Sequence, residues 1–221
     1  MISFIVPTLW NSNYIHQSIA SFKKSNRGEF ILIDNLNSNF TDKDLTVVKN
    51  KTNNFVNPSW NQGVSIAKYD YVCLLNDDIT FNFTTLLNNF ERLTEDSNHG
   101  IIAFNGINLT NALNDDNDIL SPQKTNMRGF GFGCMMLLKK ADYIPIPDDI
   151  KVYFGDDILN VSLASILKRQ TYIIPDLKAK GEISVTSSKF QHFMDIEHPM
   201  YEKFICRLTP DYIYNLMPYR K

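Results

Sequence analysis

The chain has 221 residues, 22 Lys+Arg against 24 Asp+Glu, and a formal net charge of −2. A chain this long buries roughly 70% of its unfolded surface, so it needs neither disulfides nor a structural metal to hold a core, and it is long for one domain yet short for two. The balanced charge argues against a dedicated nucleic-acid binder, and 43% hydrophobic with 21% charged residues is an ordinary soluble composition.

In chain order, the first half alternates strand and helix. Ile2 to Pro7 is a short apolar run and predicts a buried strand. Ser12 to Lys24, apolar at Ile15, Ile19 and Phe22, predicts a helix with Ser12 as its N-cap. Phe30 to Ile33 predicts a second strand ending at Asp34, and Leu45 to Val48 a third. Asn57-Pro58 reads as a cap followed by proline at the first helical position, opening a helix to about Lys68. Tyr71 to Leu75 predicts a fourth strand running straight into Asn76-Asp77-Asp78. Apolar strands without alternation, separated by helices, predict an α/β fold with a mostly parallel sheet covered on both faces. Ligands of such sheets bind beyond the carboxyl ends of the strands, where Asp34 and Asp78 lie.

The second half is less regular. Phe83 to Glu95 predicts a helix, and Asn105 to Asn126 a polar loop or hairpin excursion. Gly129 to Gly133 leads into a strand from Cys134 to Leu138, and Ile144 to Pro147 reads as a kinked connector. Phe154 to Asp157 opens a helix reaching about Arg169. Thr171 to Ile174 and Ile183 to Thr186 read as strands, and short helices at Tyr201 to Leu208 and Asp211 to Leu216 close the chain. Three widely spaced cysteines with no CxxC pair signal neither a disulfide framework nor a thiolate zinc site. The start lacks a basic signal-peptide region, and no run approaches the roughly 18 apolar residues of a membrane span. The expectation is therefore a soluble protein of the reducing cytoplasm. Asn is abundant, at 24 residues, in clusters that favour turns and helix caps.

Three constellations could carry chemistry. Asn76, Asp77 and Asp78 form an oxygen-rich strand end that suits Mg²⁺ or Mn²⁺, and equally an ordinary polar exit from a strand. Asp156 and Asp157 begin a helix; such a pair is either a helix cap favoured by the macrodipole or a general base raised by its neighbour. Gly129, Gly131 and Gly133 do not match a dinucleotide fingerprint; they allow a close backbone approach or form a plain bulged strand. Of four histidines, His16 and His99 read as surface residues. His192 could complete a metal site built on Asp78, although a lone histidine is more often structural.

Together these segments resemble family 2 glycosyltransferases with the GT-A fold. Ile2 to Thr8 resembles their first strand, Ile31 to Asn35 their second, and Trp60 to Ala67 their Asn-x-Gly helix. Leu75 to Ile79 resembles their DxD site, in the Asn-x-Asp form of rhamnosyltransferase-like members, and Gly155 to Asp157 their acidic pair. The resemblance implies a Rossmann-like single domain over 1–221, with a nucleotide-sugar half (1–104) and an acceptor and catalytic-base half (105–221). It implies nucleotide contacts from Pro7, Thr8, Trp10, Asp34, Asn61, Asn76 and Asp77, metal ligation by Asp78 with His192 as a looser third ligand, and Asp157 as the base beside Asp156. Asn76 stands where the family's first DxD acid would be, and Asp156 where Glu is common. The implied activity is inverting, metal-dependent transfer from a nucleotide-diphosphate sugar, with UDP the commonest donor nucleotide and Mn²⁺ or Mg²⁺ as cofactor. The acceptor would be a hydroxyl of a glycan or glycoprotein, in polysaccharide biosynthesis. Two alternatives stand beside it. A nucleotidyltransferase would carry a Gly-rich basic loop where Leu9 to Asn13 lie. A non-catalytic carbohydrate-binding domain fits the 12% aromatic content but has no need of Asp78 and Asp157 together.

Overall fold

The computed structural model describes residues 1–126, 128–182 and 190–217. The first half is the alternation that apolar runs and turn signals predict: β1 (Ile2–Thr8), α1 (Tyr14–Ser25), β2 (Glu29–Asp34), β3 (Thr46–Lys49), α2 (Val56–Ile66) and β4 (Tyr71–Leu75). Then come β5 (Ile79–Phe81), α3 (Phe83–Asn88), α4 (Phe90–Leu93), β6 (His99–Phe104), β7 (Gln123–Thr125) and β8 (Met135–Lys139). The chain continues with α5 (Gly155–Val161), β9 (Gln170–Ile174), β10 (Ala179–Gly181), α6 (Gln191–Cys206) and α7 (Pro210–Leu216).

Eight strands form one sheet in the order β3-β2-β1-β4-β8-β6-β9-β7. The first four are mutually parallel, and β6 and β9 are parallel as well. β8 runs antiparallel to both β4 and β6, and β7 antiparallel to β9. Side chains alternate across a strand, so every residue of β1 is buried only because helices cover both faces. Phe4 and Val6 join Ile15, Ile19 and Phe22 of α1 and Phe83 of α3 on one face. Ile5 joins Trp60 and Val64 of α2 and Ile158 and Leu159 of α5 on the other. The antiparallel return of β8 sets Met135 opposite Leu75, and the backbone N–H of Asn76 donates to the Cys134 carbonyl at 3.0 Å. The end of β4 and the Gly-rich segment therefore become neighbours.

Several elements differ from expectation. The helix expected over Phe83 to Glu95 breaks at Asn89, whose side-chain amide donates to the carbonyls of Thr85 and Asp118. His99 is not a surface residue; it opens β6 and is buried against Tyr71. Asn57 is not the cap of α2, which starts at Val56; its side chain instead donates to the carbonyls of Ile150 and Tyr153. The helix expected from Tyr201 begins ten residues earlier, at Gln191, and carries Pro199 inside it. The strand expected over Ile183 to Thr186 lies outside the described residues. Among the described residues, no helix is long and apolar enough to cross a membrane.

Candidate active site

Two cavities open at the carboxyl ends of the parallel strands. The first is lined by Pro7, Thr8, Leu9, Asn11 and Ser12 after β1, by Asn35 after β2, by Asn53 and Phe55 before α2, and by Asn76, Asp77 and Asp78 after β4. Val152, Glu182 and Phe190 complete it. The second encloses about 350 Å³ and is lined by Asn57 and Trp60 of α2, by Arg128 to Cys134, and by Tyr153, Phe154, Asp156 and Asp157. Val56, Asn76, Asp78 and Val152 line both, so Asp78 stands where the two meet.

The floor of the first cavity is tied together by short hydrogen bonds. Thr8 Oγ1 donates to Asp77 Oδ2 at 2.6 Å and accepts the Trp10 backbone N–H at 2.8 Å. Asn35 bridges Ser59, Asn50 and the Asn54 backbone N–H. The abundance of asparagine thus has a structural use: these side chains tie loops to one another around the strand ends.

Asp78 is the anomaly. It is 6% exposed, and its Oδ1 is buried without a hydrogen-bond partner. Burial first, then the charges of Asp77 and Glu182, push its carboxyl up to about 7. A buried carboxylate left beside two acids is unfavourable unless a cation joins it. The donor set, Asp78 with the Asn76 amide alongside, is all oxygen on the acid and suits a hard divalent ion. Among the described residues, no group of three or more His, Cys, Asp or Glu side chains is placed to hold a metal. Protein ligands alone would leave such an ion incompletely coordinated, which matches ions that take substrate phosphates as further ligands.

The acidic pair begins α5. Phe154 precedes it with a φ of 60°, a left-handed conformation that bulky residues rarely adopt, held by stacking on Tyr201 at 4.8 Å. Burial pushes Asp156 above the usual carboxylate range, opposed by Arg128. Burial and then the Asp156 charge push Asp157 up to about 6, again against Arg128. A base in that range is ionised near neutral pH and still basic enough to accept a proton. Gly133 is needed for this arrangement, because a Cβ there would fall 2.7 Å from Asp156 Oδ2. The close approach that the Gly-rich run permits is therefore to the acidic pair.

The expected site residues divide into two groups. Pro7, Thr8, Asn76, Asp77, Asp78, Asp156 and Asp157 line the cavities. Trp10, Asp34, Asn61 and His192 are not among the described residues that do. Asp34, expected at the base or ribose, is wholly buried, and its oxygens accept from Trp10 Nε1, the Leu36 N–H, and the Ser38 N–H and hydroxyl at 2.7–3.0 Å. Burial opposes its ionisation, but these bonds outweigh burial and hold its carboxyl below the usual range. Trp10 packs on Phe40 and His16. Asn61 accepts from the Tyr143 hydroxyl and the Ile146 N–H and donates to the Ile146 carbonyl, so it fastens the 143–146 connector to α2. His192 is exposed in the first turn of α6 with its ring 4.5 Å from Phe193, and it is not among the described residues that line either cavity with Asp78.

The structure adds Asn35, Phe55, Arg128, Tyr153 and Phe190 to the lining. Asn35 adjoins Asp34 at a strand end and is within reach of the topological rule. The others come from loops whose positions depend on tertiary packing.

Known proteins show the same likeness. The sequence profile of glycosyl transferase family 2 matches residues 3–147. Comparison by sequence with curated proteins gives no match. Among solved structures, the chain is similar to S. aureus TarS 1–349, with a TM-score of 0.62 and 16% identity over 99% of this chain and 70% of that one. The same protein in complex with UDP-GlcNAc gives a TM-score of 0.64 and 15% identity over 99% and 71%. Its complex with UDP gives 0.61 and 15% over 99% and 70%. At this identity the likeness is one of fold.

Proposed function

Because the chain belongs to glycosyl transferase family 2, we propose that it moves a sugar from a UDP-sugar to a hydroxyl of a glycan acceptor with inversion at the anomeric carbon. The observation that carries this reading is the placement of Asp78 at the junction of two cavities, one floored by strand ends and the other walled by Asp156 and Asp157. Such a junction suits a donor whose diphosphate lies by Asp78, with its nucleoside on the side of Thr8 and Asn35 and its sugar on the side of Asp157. The binding of UDP-GlcNAc by TarS makes that donor the first to test. In this reading residues 1–104 would hold most of the nucleotide and 105–221 would supply the base, with Val152, Glu182 and Phe190 completing the first cavity.

Asp78, with Asn76 beside it, would hold Mn²⁺ or Mg²⁺, whose charge would neutralise the diphosphate and stabilise the departing nucleotide. The acceptor hydroxyl gives its proton to a carboxylate oxygen of Asp157. Its oxygen forms the new bond to the anomeric carbon, and the bond to the diphosphate breaks with its electron pair leaving on UDP. A single displacement of this kind inverts configuration. Asp156 keeps the local field negative, so Asp157 stays basic, and Trp60 and Phe132 limit water around the reacting atoms.

The test is release of UDP from UDP-GlcNAc with Mn²⁺, with and without glycan acceptors. Asp157→Asn is expected to lower the rate by about 10²–10⁴-fold while calorimetric UDP binding survives. Near-normal turnover by Asp157→Asn would remove Asp157 as the base.

A further inference from the structure

Arg128 follows β7 in the segment that leads to the glycines, and none of the sequence motifs contains it. Its Nε lies 3.0 Å from Asp157 Oδ1, and its Nη1 lies 3.4 Å from Asp157 Oδ2 and 3.3 Å from Asp156 Oδ2. One guanidinium therefore lies within ion-pair distance of both oxygens of one carboxylate and of an oxygen of its neighbour, with one hydrogen bond among them, from Nη1 to Asp157 Oδ2. Its side chain is 36% exposed, so the ion pair adds little to folding stability. The contact fixes geometry more than it stabilises the fold.

The groups facing Asp157 come from three elements. Asp156 lies on α5 itself, Arg128 on the loop after β7, and Tyr201 on α6, where it feels both acids. Cys134, beyond Asp156, feels Asp78 and Asp156. Arg128 is the cation in this set, among the described residues. Gly131, at a φ of 69°, turns the chain between Arg128 and β8.

We propose that Arg128 is a positioning residue of the transfer reaction, pairing with the Asp157 and Asp156 carboxylates together so that Asp157 faces the acceptor. This rests on the reading of Asp157 as the base. Each paired oxygen of Asp157 keeps a second lone pair for the acceptor proton. The guanidinium does not release a proton, so it orients the base without competing as an acid. A lysine, as a point charge, can replace the attraction but not the reach of one planar guanidinium across both carboxylates.

The experiment uses the full chain and the variants Arg128→Ala, Arg128→Lys and Asp157→Asn. Carboxyl ¹³C NMR of the free protein, which needs no donor, follows the titration of Asp157, assigned by its absence in Asp157→Asn. In Arg128→Ala its midpoint is expected to rise by about one pH unit, because Asp156 then acts unopposed. UDP release from UDP-GlcNAc with Mn²⁺ is expected to fall about 10–100-fold in kcat with donor KM within about threefold, as for a misplaced catalytic group. The acid limb of kcat/KM should move up with the titration. Millimolar guanidinium should restore part of the rate to Arg128→Ala, and Arg128→Lys should fall between the two. An unchanged Asp157 titration in Arg128→Ala overturns the proposal. So does a loss confined to KM, with no shifted limb and no guanidinium rescue, which marks a donor-binding arginine. If Asp157→Asn is inactive and Arg128→Ala behaves as wild type, this proposal alone falls. If Asp157→Asn retains turnover, the assignment of the base falls and this proposal with it.

Discussion

Asp34 ends the buried parallel strand β2 and Asp78 lies just past the end of β4, and each is almost closed to solvent, at 0% and 6% exposure. There the likeness stops. Asp34 accepts four hydrogen bonds from Trp10, Leu36 and Ser38, and its carboxyl lies below the usual range. Asp78 has an oxygen with no partner, faces two other acids, and is pushed up to about 7. A strand-end carboxylate that the protein has already bonded is a fastening. One with a buried oxygen left without a partner is a place for something else to bind. Family resemblance assigns both to the ligand, and the hydrogen-bond pattern separates them.

This contrast can be broken by making the same substitution at both positions. The largest effect is expected from Asp78→Asn, which should lower UDP release from UDP-GlcNAc on the order of 10³-fold, as when a preorganised charge at the leaving group is lost. The same variant should be more stable than wild type at alkaline pH. The fold raises this carboxyl from its ordinary 3.8 to about 7. Its cost is therefore absent below about 4, grows as pH rises, and is complete above about 7. Thermal unfolding should show midpoints that coincide near pH 4 and a variant higher by roughly 5 °C at pH 8. A midpoint that falls at pH 8 would mean that Asp78 is bonded after all.

Asp34→Asn should do the reverse. An amide places a donor against the N–H and O–H groups that a carboxylate accepts, at a cost of about 2–3 kcal/mol at pH 7 in urea unfolding. Because the folded carboxyl lies below its ordinary range, this stabilisation exists above about 4 and disappears as pH falls through the lowered value. The gap between variant and wild type should therefore close in acid. Turnover at saturating donor should stay within a few-fold, and a collapse of turnover in folded protein would return Asp34 to the binding site. The smallest effect belongs to Trp10→Phe, which keeps the packing on Phe40 and removes the indole bond to Asp34, at about 1 kcal/mol in the same assay.

The legible part of the fold is the part with strong periodicity. β1, β2, β4 and β9 lie within a residue or two of the apolar runs that predict them, because a strand buried on both faces must be apolar throughout. Elements stabilised by side-chain bonds to distant loops are the ones that local rules misplace. Asn57 looks like a cap by local chemistry and is instead a clamp on residues 150–153, some ninety positions away in sequence. Asn61 matches a family motif and is occupied by Tyr143 and Ile146. Glu197, in the part of α6 that periodicity does not anticipate, accepts the backbone N–H groups of Lys151, Val152 and Tyr153, and so sets the loop that lines both cavities. Long-range hydrogen bonds leave no periodic trace in the sequence that makes them.

By itself the sequence determined the alternating layers, the carboxyl-end location of the cleft, and the three acids Asp78, Asp156 and Asp157 that line it. The layers and the place of the cleft follow from local rules: apolar runs bury, helices cover sheet faces, and short polar segments sit at strand ends; the place of Asp156 and Asp157 beside Asp78 is what the family resemblance implies. Only the tertiary structure decided that Asp34 is spent inside the protein while Asp78 is not, that His192 is exposed on α6, and that Arg128 reaches the acidic pair. Those outcomes depend on which partners arrive from elsewhere in the chain. A carboxylate's charge, basicity and availability are set by the partners it meets in space and not by its neighbours in sequence.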